Sequence, residues 1–239
     1  MNTVKFSLIG KISSCYKEKF GIPRQSGLVN SAPASLHLNN QFTEESVRGL
    51  EGFSHLWISF VFHENNSASE KPWKQMVRPP RLGGNKKVGV FASRSPFRPN
   101  PLGLSVVEID RIELQGKAVI IHVLGCDLLD GTPVLDIKPY LPYVDNIPHA
   151  KGGFAPEKQK VLLSVIYSLE AKLQVTLAQE RLAQNVALII EQVLQLDPRP
   201  SYKLQEVSDR IYSMKLFDFD LKWQYCENGQ VLVNALILS

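Results

Sequence analysis

Two arginines four positions apart lie in a segment that cannot form a regular helix, Gly89-Val-Phe-Ala-Ser-Arg94-Ser-Pro-Phe-Arg98-Pro-Asn100-Pro-Leu-Gly103. Pro96, Pro99 and Pro101 remove amide donors and restrict the backbone, so the loop is pre-ordered and holds its polar groups at low entropic cost. A guanidinium fork suits carboxylates, phosphates and the faces of purines. The plainer alternative is a pair of solvated loop cations matched with acids. A second cluster runs Asp127-Leu128-Leu129-Asp130-Gly131-Thr132-Pro133 and continues to Asp136, Lys138 and Tyr140. It brings three acids within ten residues, directly after an apolar strand. Asp130-Gly131 also reads as a simple turn, and Asp136 with Lys138 as a structural pair. Pro23-Arg24-Gln25 sits in a Gly/Pro loop, His63-Glu64 ends an aromatic run, and residues 79–85 (PPRLGGN) offer backbone amides to an anion. Taken singly, these last three are a loop, a strand-end histidine and another loop.

The elements that must position these groups follow from periodicity. Segment 4–13 alternates in part, and 53–62 (FSHLWISFVF) is aromatic and β-branched, as in a buried strand. Residues 104–114 and 117–125 flank Gln115-Gly116 and predict a β-hairpin. Segments 21–34 and 72–87 are long, irregular and rich in Pro, Arg, Gly and Asn, which marks functional or mobile loops. A boundary falls near 146–158, where Pro, Gly and charge concentrate. Beyond it, 160–166 reads as a strand or the start of a helix. Segments 168–182 and 184–196 have helical spacing, with Leu188, Ile189, Val193 and Leu196 on one side. Asp197-Pro198-Arg199-Pro200 ends the second helix. A final hairpin places Leu221, Trp223 and Tyr225 before an Asn228-Gly229 turn, and Val231, Val233 and Ala235 after it.

Composition and absent motifs narrow the function. The 239 residues allow one large domain or a medium one with a smaller companion. An apolar fraction of 44% supports a core and argues against wholesale disorder. The longest apolar runs fall short of the roughly 18 residues that span a bilayer, and the N-terminus lacks signal-peptide features. Cys15, Cys126 and Cys226 are odd in number and widely spaced, which disfavours a disulfide framework or a CxxC zinc site. The expectation is a soluble cytoplasmic protein with reduced thiols. A net charge of +4 is compatible with a polyanionic partner without demonstrating one. There is no GxG, Walker A sequence, GxSxG elbow or HExxH, and the five histidines are scattered. A Rossmann dinucleotide enzyme, an NTPase, a serine hydrolase of that type and a zinc enzyme all lack support, and no metal is expected.

The clusters in this order resemble the TrmO/TsaA family, also known as YaeB. The resemblance rests on GVFASRSPFRPNP at 89–101 and LDGTPVLDIKPYLP at 129–142. IPRQSGLV at 22–29, RGLEGFSHLWISFVFH at 48–63, VRPPRLGGN at 77–85, the Cys15–Phe20 stretch and Leu196–Tyr202 extend it over nearly the whole chain. One departure is Cys15, where relatives carry a proline beside the tyrosine; a buried thiol is the expectation. The resemblance implies an α+β protein: a small N-terminal β-barrel that binds S-adenosylmethionine (SAM), residues 1–148, and a smaller C-terminal α+β domain, residues 157–239. It implies a SAM-dependent tRNA methyltransferase, acting as a homodimer on the N(6) nitrogen of threonylcarbamoyladenosine at position 37, next to the anticodon. Carried over residue by residue, the cofactor contacts fall at Pro23, Arg24, Gln25, His63, Glu64, Arg94, Leu104, Asp127, Leu128, Leu129 and Asp130. These types suit a ligand with a carboxylate, an ammonium, a ribose diol and a purine.

The acceptor nitrogen belongs to a urea-like group and must lose its proton to attack well. The expected general base is Asp136 first and Asp130 second, either needing burial to raise its pKa; Asp136→Asn would then cut the rate and spare SAM affinity. The alternative is that Asp136 and Lys138 shape the pocket while positioning and electrostatics suffice. For tRNA the expected cations are Lys17, Lys19, Arg78, Arg81, Lys86, Lys87, Arg199 and Lys203, with Tyr202 to stack a base. Two other readings stay open: a non-enzymatic RNA- or nucleotide-binding barrel, which would gain nothing from the acids at 127–136, and a SAM-dependent enzyme with another acceptor.

Overall fold

The computed structural model describes residues 3–64, 73–82, 85–155, 163–199, 210–226 and 229–239. Six strands close into a barrel: β1 (Gly10–Ser14), β2 (Pro33–Leu38), β3 (His55–Val61), β6 (Leu102–Gln115), β7 (Ala118–Leu124) and β8 (Pro133–Pro139). Around the barrel they run β1-β2-β7-β6-β3-β8 and back to β1. Period-two alternation sends Leu36, Leu56, Ile58, Val107, Ile121, Val123 and Val134 inward, all at most 1% exposed. Closure leaves the barrel no free edge, and these side chains fill it. The predicted hairpin is β6–β7, turning at Gly116 with φ +63. The expected strand at 4–13 forms only from Gly10. Strands β2 and β8 were not signalled by the sequence; short and bounded by loops, they gain pairing only on closure.

Inside the 72–87 region the chain is not wholly irregular: β4 (Met76–Val77) pairs with β5 (Val88–Gly89). Two single-turn helices, α1 (Glu44–Val47) and α2 (Pro142–Asp145), cap connections. The Gly83-Gly84 pair lies outside the described residues.

The C-terminal region is a four-stranded sheet with helices packed on it. β9 (Ser164–Tyr167) runs parallel to β12 (Gln230–Leu238), which pairs with β11 (Phe219–Tyr225) and through it with β10 (Tyr212–Leu216). So 164–167 is a strand. α3 (Leu169–Leu182) is N-capped by Ser168, whose side chain accepts from Ala171 N–H, and α4 (Val186–Gln195) by Asn185, which accepts from Leu188 N–H. Both lie within a residue or two of the predicted spans. The buried stripe of α4 is Val186, Ile189, Ile190, Val193 and Leu194, whereas Leu188 is 38% exposed. In the final hairpin the alternation breaks at a bulge between Lys222 and Trp223, so Leu236 rather than Ala235 returns to the core. Asn228 lies outside the described residues.

The two cores are joined through the N-terminal loop. Cys15, Tyr16, Val29 and Ala32 pack with the C-terminal sheet and helices, not with the barrel interior. Phe217 N–H donates to Cys15 C=O at 2.7 Å, and Phe20 stacks on the buried Trp223 with centroids 5.9 Å apart. On its other side the loop bonds the barrel, with Gly27 N–H donating to Gly125 C=O and Asp130 N–H to Tyr16 C=O. Residues 15–32 are therefore clamped from both sides. Cys15 is buried as expected, and burial pushes its thiol pKa up to about 12. Among the described residues, no helix is long and apolar enough to cross a membrane.

Candidate functional site

A cavity of about 740 Å³ opens where the β3–β6 wall of the barrel meets the 15–32 loop and the Gly89–Gly103 loop. Its volume lies in the upper part of the roughly 300–1,000 Å³ range of small-molecule sites. The antiparallel register of β3 and β6 builds its floor. Phe60 faces Gly103 and Ile58 faces Ser105, with Phe60 and Ser105 both lining the cavity. A Cβ on Gly103 would stand 2.1 Å from the Phe60 ring, so only glycine lets the ring lie there. Trp57 and Leu104, on the opposite pleat, line it too.

The loops bring the chemistry. Pro23, Arg24, Gln25, His63, Glu64, Arg94, Leu104, Asp127, Leu128 and Leu129 all line the cavity. They come from five separate stretches of sequence. The Arg94 guanidinium donates to Gln25 Oε1, Gln25 Nε2 donates to Arg24 C=O, and Lys19 Nζ donates to Glu64 C=O. Asp127 carries the strongest signal. Its Oδ1 is buried without a hydrogen-bond partner. Burial raises its carboxyl pKa above the ordinary carboxylate value, while Ser105, the backbone and the nearby Arg94 charge pull the other way without overcoming desolvation. A buried acceptor lacking a donor is costly and fits a ligand that carries a cation.

Two expected residues are not brought to the cavity. Asp136 lies on β8, about half exposed, paired with Lys138 Nζ at 2.5 Å. Regular alternation would put Asp136 on the inner face with buried Val134, but a register shift against β3, with Ser59 opposite Asp136 and Phe60 opposite Val134, turns it outward. Asp130 is also absent from the lining. Its Oδ1 accepts from Ser14 N–H at 2.9 Å and its Oδ2 meets Lys17 at 3.0 Å, so it ties the 127–132 turn to β1. Both expected general bases are thus ion-paired and outside the cavity lining, and Asp130 holds the turn that presents Asp127–Leu129. Lys19, Trp57, Phe60, Arg98, Asn100 and Ser105 also line the cavity; Lys19 is expected at tRNA and Arg98 as a loop cation, and none of the six is among the expected cofactor contacts. For Arg98 and Asn100 the signal was present in the Pro-rich string. For Phe60 and Ser105 it was only cross-strand register, which a single sequence does not carry.

The expected tRNA cations divide. Arg78, Lys86 and Lys87 are exposed on one stretch of chain, whereas Lys17 is tied to Asp130. Arg199 is not a surface cation: only 4% exposed, it forks onto Asp197 at 2.9 and 2.7 Å and lies 3.5 Å over the Tyr225 ring. The Arg81 side chain, Tyr202 and Lys203 lie outside what is described.

Comparison with known proteins agrees with this architecture. Residues 11–146 match the tRNA-methyltransferase O N-terminal domain, and residues 160–237 match the TrmO C-terminal domain. The chain is 45% identical over 230 residues to the tRNA (adenine(37)-N6)-methyltransferase of Escherichia coli K12, covering 96% of each. It is 45% identical over 224 residues to a putative S-adenosylmethionine-dependent methyltransferase, RcsF, of Pseudomonas aeruginosa PAO1, covering 93% of each. A crystal structure of TrmO from Pseudomonas aeruginosa superposes with a TM-score of 0.81 at 36% identity, covering 98% of both chains. With a closed barrel, a smaller α+β unit behind it and both family domains matched along the chain, this protein belongs to the TrmO family.

Proposed function

We propose that this protein transfers a methyl group from SAM to the N(6) nitrogen of threonylcarbamoyladenosine at position 37 of tRNA, beside the anticodon. The single observation that carries the reading is Asp127, a carboxylate with one buried, unpartnered oxygen in a cavity that also holds Arg94 and Gln25. That set matches the amino-acid end of SAM, with Asp127 for the ammonium and Arg94 with Gln25 for the carboxylate. Pro23, Arg24, His63, Glu64, Leu104, Leu128 and Leu129 complete the proposed cofactor contacts. SAM, when bound, supplies an electrophilic methyl on a sulfonium.

The chain's own task is positioning. The clamped 15–32 loop and the Pro-braced 89–103 loop fix the cavity walls on two sides, and in-line placement supplies much of the acceleration in such transfers. The acceptor proton falls to His63 or Glu64, titratable groups that line the cavity, because Asp127 is assigned to the cofactor ammonium and Asp136 and Asp130 are bonded elsewhere.

Residues 1–148 and 157–239 are proposed as the two domains, and the working form as a cytoplasmic homodimer. Phe91, Leu102 and Leu104 are exposed at the cavity, apolar surface of the kind that association covers. Nucleoside mass spectrometry on tRNA carrying threonylcarbamoyladenosine, incubated with purified protein with and without SAM, tests the reaction. A SAM-dependent gain of one methyl on that nucleoside is expected. No gain with SAM binding retained in calorimetry moves the enzyme to another acceptor. No gain and no binding removes the enzyme reading.

A further inference from the structure

The cavity contains a cation that the cofactor assignment does not use. Arg98 lines it from the Pro-braced loop and is half-buried. Its Nη1 donates to Ser93 C=O at 3.2 Å and toward Ser95 C=O at 3.5 Å, which sets the plane of the guanidinium. Its Nε and Nη2 have no partner among the described residues, and no carboxylate there lies within 4.0 Å of it. The other cavity cations are differently engaged. Arg94 donates to Gln25 and lies near Asp127, Lys19 donates to Glu64 C=O, and Arg24 is exposed.

We propose that Arg98 binds the threonyl carboxylate of the acceptor base and makes the enzyme select threonylcarbamoyladenosine over adenosines lacking that carboxylate. This rests on the acceptor reading above. The cofactor brings one carboxylate and the acceptor brings a second, and the cavity holds two loop arginines four residues apart. A half-buried fork with two open donor nitrogens matches a carboxylate in geometry as well as charge. Holding it in a Pro-braced loop lowers the rotamer entropy lost on binding. The carboxylate lies at the far end of the group that carries the reacting nitrogen, so gripping it also orients that nitrogen.

The test uses two anticodon stem-loop RNAs, one carrying threonylcarbamoyladenosine and one carrying its threonyl methyl ester. The ratio of kcat/KM for the acid to that for the ester is measured in wild type, Arg98→Gln and Arg98→Lys. The wild-type ratio is expected at about 10- to 100-fold, the scale of a charge-assisted hydrogen-bonded pair. It falls toward one in Arg98→Gln and to an intermediate value in Arg98→Lys, which keeps the charge and loses the fork. Calorimetry with SAM alone shows affinity within about threefold of wild type for both variants. A ratio unchanged by Arg98→Gln overturns the inference, whether the arginine then serves RNA phosphates or only braces the loop. Loss of SAM binding in that variant also overturns it, by assigning Arg98 to the cofactor. A wild type that methylates neither RNA overturns the acceptor reading and this inference with it.

Discussion

Asp127 and Asp136 lie nine positions apart in the same acidic stretch, yet their environments oppose one another. Asp136 is ion-paired in solvent, where such a pair contributes about 0–1 kcal/mol and is screened by salt. Asp127 is desolvated and incompletely bonded. Because its folded pKa is raised, proton binding favours the folded state. That stability is fully present below the unfolded-state carboxyl pKa and is lost as pH rises through the folded value. Asp127→Asn is therefore expected to raise the melting temperature of the SAM-free protein at neutral pH while sharply weakening SAM binding, as scanning fluorimetry and calorimetry would show. In wild type, SAM affinity falls on acidification as the carboxylate protonates, at a pH above the ordinary carboxyl range, and Asp127→Asn flattens that dependence. Asp136→Asn, by contrast, leaves single-turnover methylation within about threefold of wild type, since an exposed pair away from the cavity contributes little. A rate loss of two orders of magnitude would restore it as the base.

At the scale of elements, the 15–32 loop carries part of the cavity wall but is not built by the barrel alone. Phe20 stacks on Trp223, and Ser31 and Asn30 bond the Gln192 side chain on α4. Gly21 sits at φ +90 with Met214 Sδ only 2.2 Å from where a Cβ would stand. Gly21→Ala combines a left-handed backbone with a collision against a β10 side chain. It should destabilise by about 1–3 kcal/mol and raise KM for SAM, because Pro23–Gln25 shift with the loop. Measuring KM for SAM and the denaturation midpoint together checks this. A normal KM would show that the loop is placed by the barrel without the C-terminal sheet.

For the whole molecule, the contrast is between cations that reach solvent and one that does not. Arg78, Lys86 and Lys87 form an exposed basic stretch, so tRNA affinity is expected to fall steeply with added salt through counterion release. Arg199 is locked into Asp197 and Tyr225 at the end of α4, inside the C-terminal unit. Arg199→Ala leaves a buried carboxylate unpaired, a loss of about 3–5 kcal/mol, and should appear in equilibrium denaturation. The slope of tRNA affinity against salt is expected to stay unchanged in that variant. A normal denaturation midpoint with a reduced salt slope would return Arg199 to the RNA surface.

The sequence by itself determined the strongly periodic elements and the motif strings. The 53–62 strand, the Gln115-Gly116 hairpin, the two helices and the final hairpin were legible because alternation, helical spacing and turn residues are local signals. So were Arg94, Pro23–Gln25, His63-Glu64 and Asp127–Leu129 as members of one site, through rare strings that the cavity then gathers. Tertiary structure decided the rest. Strands β2 and β8 exist because barrel closure supplies their partners. Which acids face the cavity was set by the β3–β8 register shift at Asp136 and by the bond that Asp130 accepts from Ser14 N–H, neither visible in residue type. Arg199 reads as a surface cation in any one-dimensional account, and only the fold encloses it with Asp197 and Tyr225. Burial, cross-strand register and long-range pairing depend on residues far apart in the chain, and those are the quantities that separate a group able to act from one that only holds the fold together.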